Sequence, residues 1–173
     1  MIDSLWSLIV CMILFILIEI TDFLDGQIAR GTQQITVFGK LMDPFADSIA
    51  RFTIFLSFLS AGLAPVWMIA IFFYRDVLVA IIRVFSIKEG VVVAARKSGK
   101  QKAMAQGIGI FFILIYLLLE KSGHLPPGLE TLWNIKLPTI ILAVAALVTL
   151  YSGIDYWNGN KSIVINSLTQ AEN

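Results

Sequence analysis

Asp22 and Asp25 stand three residues apart and Asp43 and Asp47 four apart within one stretch, "TDFLDGQIARGTQQITVFGKLMDPFADSIA" (residues 21–50). On a helix, steps of three and four bring side chains to one face. Asp22, Asp25 and Ala29 therefore form one stripe, and Gly39, Asp43 and Asp47 form a second. The connector "GTQQITVF" is short, so the two helices are expected as antiparallel neighbours with their stripes facing each other. Four carboxylates brought together repel one another and need a positive partner. Hard oxygen donors on rigid helices suit Mg2+ or Mn2+, which complete their shells with water or substrate oxygens. Gly26 and Gly39 leave space beside the acids for a close backbone or a bulky ligand. The pattern points to a divalent-metal site for a phosphate-bearing ligand. The plainer alternative is a solvated helix end whose acids pair with Arg30, Lys40 and Arg51. Arg51 continues the second stripe by one turn and reads as a structural counter-charge.

The elements that must carry these residues are apolar. The chain has 173 residues, of which 58% are hydrophobic and 14% charged. Its mean hydropathy is +0.84. A soluble domain of this size cannot hide so much apolar surface, so the class is integral membrane protein. A net charge of +1 speaks against a nucleic-acid partner. Cys11 is the lone cysteine and lies in an apolar run, where it reads as a small hydrophobe. The opening "MIDSLW" lacks the basic start of a signal peptide, so the first apolar segment is expected to stay in the mature protein.

A helix needs roughly 20 mostly apolar residues to cross the hydrocarbon core. Five stretches approach this: from Leu5 into the first aspartates, 37–61, 65–87, 102–120 and 137–157. The expected fold is all-α, a polytopic transmembrane bundle of five spans forming one membrane-embedded domain over residues 1–173. "SAGLAP" reads as a turn in which Gly62 ends one helix and Pro65 opens the next. "KSGHLPPGLE" is a longer loop, with His124 as a surface residue, and the polar tail after Trp157 is expected to leave the bilayer. Trp6, Trp67, Trp133 and Trp157 fall near span ends, where interfacial aromatics belong. "GIGIFF" and "AVAAL" offer small residues for close helix packing, within the chain or between subunits.

Basic residues set the orientation. Arg30, Lys40, Lys88, Arg96, Lys97, Lys100 and Lys102 lie in the connections on one side, against Lys121 and Lys136 on the other. The rich side, which holds the aspartates, is expected to face the cytoplasm, and an odd number of spans then leaves the N-terminus outside.

The third span carries "YRDVLVAIIR", with Arg75 and Arg83 about two turns apart on roughly one side. Arginines inside an apolar segment need an anionic partner. Arg75, Arg83 and Lys100 are read as an anion pocket, whereas Arg96 and Lys97 are read as attracting lipid headgroups. Asp76 is placed to pair with a basic neighbour.

Asp22, Asp25, Gly26, Ala29, Arg30, Gly39, Asp43 and Asp47, at these spacings, resemble the complete signature of the CDP-alcohol phosphotransferases. Members of that family are polytopic helical enzymes that move a substituted phosphate from a CDP-linked donor to an alcohol and release CMP. The resemblance implies that Asp22, Asp25 and Asp43 bind metal and that Asp47 completes the metal site and acts as general base. It implies that Asp22, Gly26, Ala29, Arg30 and Gly39 line the CDP pocket. "FGKLMDPFAD", "VVVAARKSGKQK" and "LYSGIDYW" are similar to the branch that makes phosphatidylglycerophosphate, a step of phospholipid biosynthesis. That branch implies CDP-diacylglycerol as donor and glycerol 3-phosphate as acceptor, with Arg75, Arg83, Lys100 and Lys102 holding the acceptor's phosphate. The chain departs from the branch at Ser48, Asp76 and Ala103, where a basic residue, Glu and Thr are usual. Relatives have six transmembrane helices and form homodimers; against that pattern this chain is expected to begin at their second helix, either because an upstream start is missed or because the chain is N-terminally short. Sibling enzymes that use inositol phosphate, serine or phosphatidylglycerol share the signature, and a divalent-cation channel or transporter is the alternative from another class.

Overall fold

The computed structural model describes residues 4–32, 37–91, 93, 96–126, 128 and 136–170. For residues 22, 23, 25–32, 37–45, 88, 166, 168 and 170 the description covers the backbone alone. Among the described residues there are five helices: α1 (Leu5–Thr32), α2 (Val37–Ser60), α3 (Val66–Lys88), α4 (Lys97–Lys121) and α5 (Leu137–Gln170). At about 1.5 Å of rise per residue, each is long enough to cross a hydrocarbon core. On apolarity as well as length, α4 and residues Leu137–Ile165 of α5 qualify as membrane-crossing, and the apolar part of α1 is Leu5–Thr21. The remaining lengths of α1 and α2, together with α3, carry the acids and arginines of the candidate site.

The helix ends follow from local chemistry. Gly62 has φ +73°, a left-handed conformation that costs glycine nothing. This lets the Leu63 N–H reach back to the Phe58 carbonyl at 2.9 Å, closing α2. Pro65, with φ −74° and ψ 151°, then opens α3. Gly90, at φ +69°, closes α3 in the same way, with the Val91 N–H on the Ser86 carbonyl at 2.8 Å.

α5 is the central helix. It packs against both α3 and α4, while α2 lies on α3 and α1 on α4. The main core gathers Phe55, Phe58, Phe72, Ile110, Ile113 and Leu142, all buried, and a second cluster joins Val79, Ile82, Tyr156 and Val164. The small residues of α4 and α5 are used within the chain. A Cβ at Gly109 would lie 3.2 Å from Ile141 Cγ2, and Ala145 and Ala146 are buried. Large apolar side chains face outward from every helix; Leu147 is 68% exposed and Tyr74 69%. An apolar exterior around a core that also holds polar pairs is the arrangement a bilayer favours.

The last helix is longer than the apolar window that ends at residue 157. α5 does not stop near Trp157 but continues to Gln170. Tyr156, Asn160, Val164 and Ser167 recur at helical spacing and are all buried. Ser167 Oγ donates to Glu89 Oε1 at 2.5 Å, tying this extension to the end of α3.

Candidate active site

Two helices carry the signature aspartates. Asp22, Asp25, Gly26, Ala29 and Arg30 lie on the C-terminal part of α1, and Gly39, Asp43 and Asp47 on the N-terminal part of α2. The side chains of Asp22, Asp25, Ala29, Arg30 and Asp43, and the surroundings of Gly26 and Gly39, lie outside the described residues. Asp47 is half-buried. Arg51 Nη2 lies 3.7 Å from Glu19 Oε1, which links α1 to α2. Glu19 lies thirteen residues before the end of α1 and Arg51 fourteen after the start of α2, as in antiparallel neighbours. All four aspartates lie between Glu19 and Arg51 in the sequence. A set of carboxylates on adjoining helices has the donor chemistry of a Mg2+ or Mn2+ site.

The second group is described in full. Arg75 on α3 is a hub: its Nη1 donates to Asp76 Oδ1 at 2.9 Å and its Nη2 to Ser152 Oγ on α5 at 2.7 Å. Its guanidinium carbon sits 5.9 Å from the centre of the Tyr156 ring, within cation–π range. Lys102 on α4 donates to both carboxylate oxygens of Asp76, at 2.8 Å each. Burial of such a group demands this pairing, because an unpaired ion away from water is very costly. Arg75 and Lys102 together outweigh Asp76 by one positive charge.

This group borders a cavity of about 410 Å³ between α2, α3 and α4. Ser48, next to Asp47, lines it, as do Arg51, Arg75, Asp76, Arg83 and Gln106. The cavity thus runs from the aspartate-bearing part of α2 to the arginines of α3. A second cavity, about 730 Å³ between α1 and α4, is walled by Phe15, Ile20, Met104 and Phe112, and Arg51 borders both.

Of the four residues expected around an acceptor phosphate, Arg75 and Arg83 share this cavity. Lys102 is buried and engaged with Asp76, and Lys100 is exposed and does not line either cavity. Arg96 departs from its expected place among lipid headgroups. Its Nη1 donates to the Asp155 carbonyl at 2.5 Å, and Ser98 Oγ donates to Asp155 Oδ2 at 2.5 Å. Gly159 makes room for it, since a Cβ there would overlap the guanidinium. Sequence reasoning missed Glu19, Ser152 and Tyr156. For the last two the signal was present: Thr149, Ser152 and Tyr156 recur at helical spacing in an otherwise apolar span, which marks an inward polar stripe.

An apolar helical bundle, with aspartates carried on two consecutive helices and an Arg75–Asp76–Lys102 cluster beside a cavity, defines a helical membrane protein with a polar site in its interior. Residues 1–151 match the family model described as CDP-alcohol phosphatidyltransferase, and the chain belongs to that family. It is similar to the CDP-diacylglycerol–glycerol-3-phosphate 3-phosphatidyltransferase of Bacillus subtilis, 33% identical over 148 residues, which cover 86% of this chain and 72% of the relative. The protein of the same name from Rickettsia typhi is 31% identical over 150 residues, covering 87% of this chain and 79% of the relative. Its namesake in Treponema pallidum is 38% identical over 111 residues, 64% of this chain and about half (51%) of the relative.

Proposed function

We propose that the chain transfers the phosphatidyl group of CDP-diacylglycerol to glycerol 3-phosphate, giving phosphatidylglycerophosphate and CMP in phospholipid biosynthesis. Family membership and the names of the similar proteins support the donor and the reaction type. The observation that carries the acceptor is the cavity bordered by Arg75 and Arg83, beside a buried cluster whose charges sum to a surplus cation. An acceptor that itself bears a phosphate meets that surplus, whereas serine or a neutral alcohol does not.

Asp22, Asp25, Asp43 and Asp47 hold Mg2+ or Mn2+ in this reading, and Gly26, Ala29, Arg30 and Gly39 line the cytidine diphosphate pocket. When bound, the metal offsets the charge of the diphosphate and stabilises CMP as leaving group. Asp47 takes the proton from the attacking hydroxyl, because it adjoins Ser48 at the wall of the acceptor cavity. Arg75 and Arg83 bind the acceptor's phosphate and hold its hydroxyl towards the aspartates. Asp76 keeps Arg75 and Lys102 compatible with burial. The excess of basic residues in the connections on that side supports a site facing the cytoplasm.

The test is to supply purified protein with CDP-diacylglycerol, Mg2+ and each candidate alcohol, and to follow CMP. Glycerol 3-phosphate is expected to give the highest rate. Preference for inositol phosphate, serine or phosphatidylglycerol reassigns the enzyme to a sibling activity.

A further inference from the structure

Arg75 is held from three sides, and the hold on its far side comes from α5. Asp76 takes one end of the guanidinium, Nη1, and Ser152 takes the other, Nη2. Gly153 completes the cradle: a Cβ there would lie 3.2 Å from Arg75 Cγ, so a larger residue would press on the side chain. Tyr156, one turn further, faces the guanidinium with its ring. Ser152 is fully buried, and no other hydrogen bond of its hydroxyl is seen among the described residues. Arg75 Nε is also buried and, among the described residues, has no hydrogen-bond partner. With Nη1 and Nη2 each engaged, the plane of the guanidinium is fixed where Arg75 borders the cavity. Residue 152 lies just beyond the family match, which ends at residue 151.

We propose that Ser152 is a positioning residue for acceptor binding: it sets the guanidinium plane of Arg75 so that the arginine presents a fixed donor edge to the acceptor's phosphate. The proposal rests on the function given above, in which Arg75 binds that phosphate. Without the Ser152 oxygen, Nη2 loses its hydrogen bond and Asp76 is the one hydrogen-bond partner of the guanidinium left among the described residues, so the fork is less firmly oriented. A planar fork binds an oxyanion well only when it is pre-oriented. The loss should therefore fall on acceptor affinity and leave the donor untouched.

The test is steady-state kinetics of Ser152→Ala in the full-length protein in mixed micelles, varying each substrate in turn. The KM for glycerol 3-phosphate is expected to rise about 10-fold or more, the scale of a lost hydrogen bond to a charged group. The KM for CDP-diacylglycerol and the melting temperature should change little. Ser152→Cys, which keeps the volume but weakens the acceptor, should give an intermediate rise and serves in its place should the alanine variant not fold. An unchanged KM for glycerol 3-phosphate in these variants overturns the proposal, as does an equal rise for both substrates. In either case a wild-type protein that releases CMP with glycerol 3-phosphate leaves the reaction itself standing. A wild-type protein inactive with that acceptor overturns both.

Discussion

Lys102 on α4 and Asp76 on α3 form a two-point ion pair, with Nζ 2.8 Å from each carboxylate oxygen, in the interior of an apolar bundle. Both helices pack on α5, and this pair joins them directly. The two partners are not equivalent. Asp76 also holds Arg75 at 2.9 Å, whereas among the described residues every side-chain hydrogen bond of Lys102 goes to Asp76.

That asymmetry predicts unequal variants. Asp76→Ala leaves two buried cations without their counter-charge and should destabilise by about 3–5 kcal/mol, the range for breaking a buried pair. Lys102→Met removes a cation but leaves Asp76 paired with Arg75, so it should cost clearly less. Denaturation of the purified variants in one detergent gives the comparison; equal losses would contradict the arrangement.

Arg96 and Gly159 make a second testable pair. Gly159→Ala pushes the guanidinium off the Asp155 carbonyl and should cost about 1 kcal/mol, the scale of one hydrogen bond. In an Arg96→Ala background the same change should cost almost nothing, because the side chain it collides with is gone. Additive losses in the double variant would show that Gly159 acts elsewhere.

Around the cavity, Arg83 and Lys100 should separate. Arg83→Ala is expected to raise the KM for glycerol 3-phosphate about 10-fold or more, since a partly buried arginine binds phosphate through charge-assisted bonds. Lys100 is exposed, so its charge is screened and Lys100→Ala should change that KM by about twofold or less. Kinetics at fixed CDP-diacylglycerol decides between them.

Much of the positioning was legible before the structure. Gly62 and Pro65 punctuate the chain strongly enough to set the α2–α3 turn, and apolar run length marked the five helices seen among the described residues. The aspartate spacing placed its residues on two consecutive helices, because three- and four-residue periodicity is a local property. What stayed hidden was long-range. Arg75 and Ser152 lie 77 positions apart, and no local pattern couples them. Arg96 carried the composition of a headgroup-facing loop, yet the absence of a side chain at Gly159 lets it dock on α5. Lys100 and Lys102 sit two positions apart on one helix and therefore point to different sides, so one is exposed and the other buried. The tail after Trp157 looked polar, and its buried stripe emerges only when residues 156, 160, 164 and 167 are read at helical spacing.

The central claim is that carboxylates on α1 and α2 support a metal-dependent phosphatidyl transfer to glycerol 3-phosphate. Its most direct test is the fate of radiolabelled glycerol 3-phosphate incubated with CDP-diacylglycerol and the purified protein, with Mg2+ or with a chelator, for wild type and Asp47→Asn. The account predicts label entering the chloroform-soluble fraction in a one-to-one ratio with released CMP, abolished by the chelator and reduced at least 100-fold in the variant, the low end for loss of a general base. Label that stays in the aqueous phase, or transfer that proceeds unchanged in Asp47→Asn, would contradict it.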